Sequence, residues 1–502
     1  MHRHLKAVII PLTLLLPLSC NLFSQPPTQI ATSTPPETIA AQSPIPSPSP
    51  ALLTPTGTPA PILPTDTPTP LPPTSTPAPI SLNAAGPYVL FKGENGIWIS
   101  NPDGSFLTQV FAGENHTDLR NALSPSGGRL AVVITTDQGL DLVLVNLPSG
   151  EVQTITNLIS ITRDEEINDP LSPKAFATYA IRDYDNLAWQ PGDGRLLAFT
   201  GAINGPTSDL YLYDTQTQEI TQLTDGPSQA IAPIWSPDGQ YILHFGVSWV
   251  PPFGGAIGGA NQLDGAWAVR ASDGSLITMP MPDGTNPNFV GWQDSSHYIT
   301  YDSNDECYAQ NLHSVDVTSG ETTPIMDNSF YYEISLSPEN GALLFSSAPG
   351  CSSSLGEGVF LLFPGQSTPG LLLEKRAWEI YWLPESNVFF AYPEALLSSD
   401  GTTRYDPPVY DASYEPAVSK EGWQAWEVIQ NQVGRVVIKA TTGDWQTIMN
   451  GFVAGMVWDP ADGRTLLIAL QDGSLYAATY PDFSPRLMGS LGENVSQIIW
   501  SP

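Results

Sequence analysis

From Tyr88 to the end of the chain, apolar and polar positions alternate in short runs broken by turn residues. Segments such as DLYLYD at 209–214 and LVLVN at 142–146 place their apolar side chains on one face of an extended strand. The runs follow one order. A short apolar strand ending in Trp or a small residue meets a turn, and then come a second strand, a loop, an alternating third strand, a second turn and a last strand. The unit is about 40 residues long, a period that marks stacked supersecondary units, and four short strands per unit predict propeller blades.

The first turns read SPSG at Ser124, QPGD at Gln190, SPDG at Ser236, SPEN at Ser337, SKEG at Ser419 and DPAD at Asp459. Proline presets φ at such a corner, Asp or Asn bonds the backbone that follows, and Gly accepts positive φ. The second turns repeat the chemistry at Asn101 (NPDGS), Ala271 (ASDGS) and Ala440 (ATTGD). Trp189, Trp235, Trp292, Trp382, Trp458 and Trp500 recur at one point of the first strand, a pattern that assigns them to packing between blades. Residues 496–502 (SQIIWSP) read as the opening strand of a unit whose remaining strands begin near Tyr88. The expected fold is therefore all-β: a single closed propeller of four-stranded blades, sealed by pairing the C-terminal strand with the N-terminal blade so that no sheet edge is left open. Nine units can be counted. The weakest covers 378–413, and without it the ring has eight blades.

The repeat resembles the WD40-like, TolB-type propeller family, whose hallmark is W-SPDG-x-x-I-x-F. It matches best at 235–245 and at 189–199 (WQPGDGRLLAF). The resemblance implies the fold more than the function, because such rings serve as binding modules, as lids on serine peptidases and as envelope scaffolds. A separate N-terminal α/β domain of the TolB kind does not precede the ring, so a Tol-like partnership does not carry over.

What precedes the ring has a different character. His2, Arg3, His4 and Lys6 lead into an apolar run at 7–18, followed by Ser19 and Cys20. This is the layout of a secretory signal, too short to span a bilayer as a helix. LLLPLSC is similar to a bacterial lipobox, which implies cleavage and diacylation at Cys20. Residues 21–80 hold eighteen of the chain's 50 prolines and two charges, Glu37 and Asp66. Such a run makes no core and stays extended, at roughly 3 Å per residue. The expected organisation is a signal peptide at 1–19, a lipidated Cys20 and Pro/Thr/Ser-rich stalk at 20–81, and the propeller at 82–502. The expected address is the outer face of a bacterial membrane or the cell surface, with the membrane reached through the lipid anchor.

The formal charge is −32, and removing the signal takes away only cations among its charged residues. A surface this anionic repels phosphate backbones, so nucleic acid is not an expected partner.

In a four-stranded blade the second-to-third-strand loop and the connection to the next blade share one face, and the long segments at 157–183, 201–208, 246–265, 302–310 and 346–358 all fall there. That face is the expected working surface. On it, Trp249 and Phe253 lie in the glycine-rich run VSWVPPFGGAIGGANQLD and could grip a sugar or an aliphatic group. A hydrophobic flap folded onto the ring is the favoured reading of that pair. Asp164, Glu165, Glu166 and Asp169 form an acidic cluster whose oxygens suit calcium, but they lack the alternating spacing of a calcium loop, and a solvated acidic insertion is favoured. No other cofactor is expected. Cys307 and Cys351, the cysteines other than Cys20, fall in equivalent loops of adjacent units, and a disulfide is expected between them.

The sequence shows no GxSxG elbow, no HExxH and no phosphate-cradling glycine motif, so no catalytic or metal-binding residue is assigned. The leading expectation is a non-catalytic, lipid-tethered ring that binds an extracytoplasmic protein, peptide or glycan. The alternative is a glycan-active or peptidase-like enzyme with carboxylates at the central funnel.

Overall fold

The computed structural model describes residues 82–83, 86–169, 172–250, 260–278, 286–304, 308–326, 333–347, 355–410 and 412–501. Among them the strands form nine antiparallel sheets, eight of four strands and one of three, set round a ring as a β-propeller. Blade 1 is the split unit, joining Val495–Trp500 to Val89–Gly93, Gly96–Ser100 and Thr108–Ala112. Blade 2 has Arg129–Thr136, Gly139–Asn146 and Glu151–Ser160. The first strands of blades 3 to 9 are Leu187–Trp189, Gln229–Trp235, Asn286–Trp292, Ile334–Leu336, Glu379–Leu383, Ala412–Val418 and Val453–Trp458.

The seal is where the alternating pattern placed it. Val89 pairs with Trp500, Leu90 with Ile499, Phe91 with Ile498 and Lys92 with Gln497. The alternation sends Ile498 into a core shared with Val457 and Leu467 of blade 9, and Ile499 into one shared with Leu130 and Val132 of blade 2. One strand thus fixes both seams. The Ser501 amide donates to the Tyr88 carbonyl at 2.8 Å, and Ser501 Oγ accepts from the Tyr88 amide at 2.6 Å. Glu493 adds a carboxylate that accepts from the Asn95 amide, Asn95 Nδ2 and Trp98 Nε1 at 2.9, 2.8 and 3.2 Å.

The turn chemistry is equally direct. At 236–239 the Gly239 amide closes onto the Ser236 carbonyl, Ser236 Oγ accepts from the Tyr241 amide at 3.0 Å, and Gly239 sits at φ +69°. The tryptophans do pack between blades, and they also hydrogen-bond there. Trp189 Nε1 donates to the Ala122 carbonyl, Trp235 Nε1 to Ala188 and Trp292 Nε1 to Ile234, at 2.7, 2.8 and 3.1 Å. Each indole reaches the first segment of the preceding blade, so the rungs run from blade 5 back to blade 2. Trp458 of blade 9 and Trp500 of blade 1 make no such bond, and their buried Nε1 atoms have no partner.

Three local expectations change. The weak unit at 378–413 is a complete four-stranded sheet ending in the two-residue strand Arg404–Tyr405. The first strand of blade 2 is replaced by a short helix, α1 (Leu119–Ala122), because Asp118 caps it and Leu119 and Ala122 turn inward together. In the long segments at 246–265 and 302–310 the described residues are hairpin ladder, pairing as far as Val250 with Ala260 and Asn304 with Tyr308.

One buried group ties this fold to pH. His244 lies in the second strand of blade 4, its ring stacked 5.7 Å from that of Trp267, with Nε2 buried and without a partner. Burial pushes its pKa down to about 4. The neutral ring is what the fold accepts, so stability is complete above the unfolded-chain value near 6.5 and falls as acid protonates the unfolded chain first. Unfolding titrations in urea are expected to show a loss of about 3 kcal/mol between pH 6.5 and pH 4 from this residue. That part of the pH slope should vanish in His244→Phe.

Candidate functional site

A cavity of about 540 Å³ opens on the face where chain returns from one blade to the next, over blades 1 to 3. Its size is that of a small-ligand pocket. Four stretches far apart in sequence build the wall: Lys92 from blade 1, 115–118 and Asn121 leading into blade 2, Tyr179 and 182–187 leading into blade 3, and Gln497 from the sealing strand.

Each stretch is held by backbone bonding. The His116 amide donates to the Val133 carbonyl at 3.0 Å, and Thr117 Oγ1 accepts from the Val133 amide at 2.8 Å, docking 115–117 onto blade 2. Asp118 Oδ1 caps α1 through the Arg120 amide at 2.8 Å, and Gln497 Oε1 accepts from the Leu119 amide at 2.9 Å.

Residues 157–183, expected as a long loop, continue the last strand of blade 2 to Ser160 and then form helices α2 (Arg163–Asn168) and α3 (Pro173–Asp183). Ser172 caps α3, with Pro173 at its first turn where a missing amide costs nothing. Ala177 and Ile181 pack on blades 2 and 3, and Phe176 and Ala180 join a core with Ile231 and Phe245 of blade 4. Tyr179, Arg182 and Asp183, three and four residues apart, form the face that lines the cavity.

The wall mixes polar side chains with the rings of Tyr179 and Tyr184, and Leu187 is its one aliphatic side chain. Lys92 Nζ donates to the Thr117 carbonyl at 2.6 Å; burial pushes its pKa down and Asp118 partly restores it. His116 Nε2 lies 2.8 Å from Thr135 Oγ1. Burial lowers the His116 pKa, Arg182 and Lys92 add to that, and Glu114 opposes it, so the ring is neutral at neutral pH. Two amides in the wall lack partners. Asn115 is 8% exposed with neither Oδ1 nor Nδ2 hydrogen-bonded, and Asn186 is 4% exposed with a lone Nδ2. Buried amides left this way are uncommon and costly in folded proteins.

The acidic residues expected on the working face lie on the connection between blades 2 and 3 but do not line the cavity. Asp164, Glu165 and Glu166 form the first turn of α2, and Glu165 completes a capping box with Thr162. Asp169 ends that helix, its amide donating to the Glu165 carbonyl. Only Glu166 reaches the site, through an ion pair with Arg182 at 3.0 Å. Among the described residues no group of three or more His, Cys, Asp or Glu is placed to hold a metal ion. Trp249 lies on the extended hairpin opposite Asn261. Phe253, Cys20, Cys307 and Cys351 lie outside the described residues. Sequence reasoning missed Lys92, Asn115, His116, Arg182 and Asn186, which share no motif. The available signal was the length of 157–183 and, inside it, the capped pattern SPKAFATYAIRD.

No family model matches the chain. A stretch of 55 residues, 11% of the chain, is 46% identical to the Bacillus subtilis (strain 168) protein named uncharacterized peptidase YuxL, and it spans 8% of that relative's length. Among solved structures, dipeptidyl peptidase 4 of Porphyromonas gingivalis is similar at 8% identity over 82% of this chain and 62% of that one, with a TM-score of 0.44. A eukaryotic initiation factor is similar at 13% identity over 83% and 98%, TM-score 0.49. TolB of Acinetobacter baumannii is similar at 14% identity over 74% and 82%, TM-score 0.27. The match to a peptidase overturns the leading expectation of a non-catalytic binding ring, and with it the leaning away from an enzyme; it favours the peptidase-like alternative.

The unpaired Asn115 amide makes a stability prediction. Asn115→Leu, which keeps the branched outline of heavy atoms and removes the polar ones, is expected to raise unfolding stability by about 1 kcal/mol in urea titrations. A loss of that size would mean the amide has a partner in solution.

Proposed function

We propose that the chain is a peptidase-like enzyme whose ring receives peptide substrate at the cavity over blades 1 to 3. The observation that carries this reading is the 55-residue stretch 46% identical to a protein named as a peptidase. The cavity supports it by its chemistry. A wall of amides, carboxylates and two cations matches the alternating donors and acceptors of a peptide backbone better than it matches an apolar ligand. The amides of Asn115 and Asn186 offer hydrogen-bonding capacity to substrate carbonyl and amide groups. His116 is the group in the wall whose ordinary titration range lies closest to neutrality, and burial keeps it able to accept a proton. Asp118, Asp183 and Asp185 supply the carboxylates beside it.

The finer readings of the sequence belong to the same proposal. The ring is of the WD40-like, TolB-type repeat family, and it stands outside a bacterial membrane on a proline-rich stalk anchored by a lipid on Cys20. Labelling with palmitate tests the anchor: the label should be lost in Cys20→Ala, and membrane partitioning unchanged in that variant would count against it.

The test of the activity is turnover of an internally quenched peptide library by the full chain. Cleavage is expected, and His116→Ala should reduce it by about 10²-fold or more while the circular dichroism spectrum stays unchanged. Absence of cleavage across the library, or full activity in His116→Ala, would contradict the proposal.

A further inference from the structure

A second surface on the face that carries the cavity lies over blades 7 and 8, where aromatic rings stand open to solvent. Tyr392 ends the second strand of blade 7 (Val388–Tyr392), and Tyr414 lies near the start of the first strand of blade 8. Their rings stack at 20°, with centroids 6.5 Å apart. Trp378 stands just before the first strand of blade 7, its amide donating to the Tyr392 carbonyl at 2.8 Å. It is 66% exposed, and among the described residues no other tryptophan is exposed.

The platform is anchored from below. Tyr392 meets Phe390 edge-on at 5.6 Å, and Phe390 meets the buried Trp426 of blade 8 in the same way. Ser413 Oγ donates to the Pro408 carbonyl at 3.0 Å, fixing the start of the strand that carries Tyr414. Acceptors flank the rings. The exposed Glu379 pairs in register with Tyr392 across blade 7, and burial, then Tyr414 and Glu379, push the Tyr392 pKa up. Glu394 follows in the adjoining turn, 3.8 Å from the exposed Lys375.

We propose that this patch binds a neutral glycan chain, at a site separate from the cavity and independent of the peptide reading. A pyranose with equatorial hydroxyls turns C–H groups toward a flat aromatic face and its hydroxyls outward. The rings cover the first, and carboxylates, which only accept, take the second. Those carboxylates separate the glycan from a proline-rich peptide, the other chain that packs on exposed rings. Proline units have no N–H, so the carboxylates would lose water and gain no donor. The formal charge of −32 separates it from acidic polysaccharides, which such a surface repels. Two stacked rings with a third on the same edge suit a row of sugars rather than one.

Calorimetric titration of the full chain with cellohexaose and chitohexaose, both neutral, tests the site, with hexagalacturonate and deca-proline as controls. Wild type should bind at least one neutral hexasaccharide and neither control. Trp378→Ala and Tyr414→Ala, with unchanged melting temperatures because both side chains are exposed, should each weaken that binding at least about tenfold. Tyr414→Phe should keep it, as should His116→Ala in the cavity. Binding of neither hexasaccharide, or binding that both alanine variants retain, would overturn the proposal and leave the peptide reading standing. Binding of deca-proline that is lost in Tyr414→Ala would give the patch to peptide and overturn it as well.

Discussion

The structure depends on one antiparallel pairing, that of Val495–Trp500 with Val89–Gly93. A propeller blade buries both faces against its neighbours, so a blade without its first strand opens two seams at once. Here Ile498 and Ile499 point into different seams, and the strand that carries them comes from the opposite end of the ring's chain. The pairing removes the free sheet edges and converts a row of repeats into a closed body. Glu493, Ser501 and Gln497 surround the seal with hydrogen bonds to Asn95, Trp98, Tyr88 and Leu119. Gln497 belongs both to the seal and to the wall of the cavity. The site therefore exists only when the ring is shut.

The indole bonds between blades are confined to one arc of the ring, and two of the cavity's three blades belong to it. From blade 2 to blade 5 the indole nitrogens of Trp189, Trp235 and Trp292 tie each first strand to the segment before it. Helix α3 adds a brace over the same blades, its apolar residues divided between two cores. On that scaffold a few polar groups can be left without partners. The unpaired amides of Asn115 and Asn186 are a local cost that the surrounding bonding absorbs, as is common where a protein holds groups ready for a ligand.

The blades were legible in the sequence because each one states its strand period and its turn chemistry separately. Ser236 and Gly239 do in the structure what the SPDG turn requires, and the sealing strand was visible because SQIIWSP repeats the phrase IWSP found at 234–237. Where the text of the repeat was thin, the reading missed local detail. DLRNA at 118–122 is a capped helical turn occupying the place of a strand, and the hairpin running to Val250 and Ala260 was taken for loop. The acidic residues 164–166 were conspicuous by charge, yet their position at the start of α2 gives most of them to helix capping and solvent. The cavity was not legible. Lys92, Asn115, Arg182, Asn186 and Gln497 come together only through ring closure and the placement of α3, and no spacing along the chain encodes that meeting.

The seal is most directly tested by native-state hydrogen exchange of the full chain, following 495–500 and 89–93 beside the third strand of blade 5, Tyr308–Asp316. Closure as described predicts that both partners of the seal exchange slowly and together, at the rate set by opening of the whole ring. Rapid exchange of 495–500 while 308–316 remains protected would contradict it.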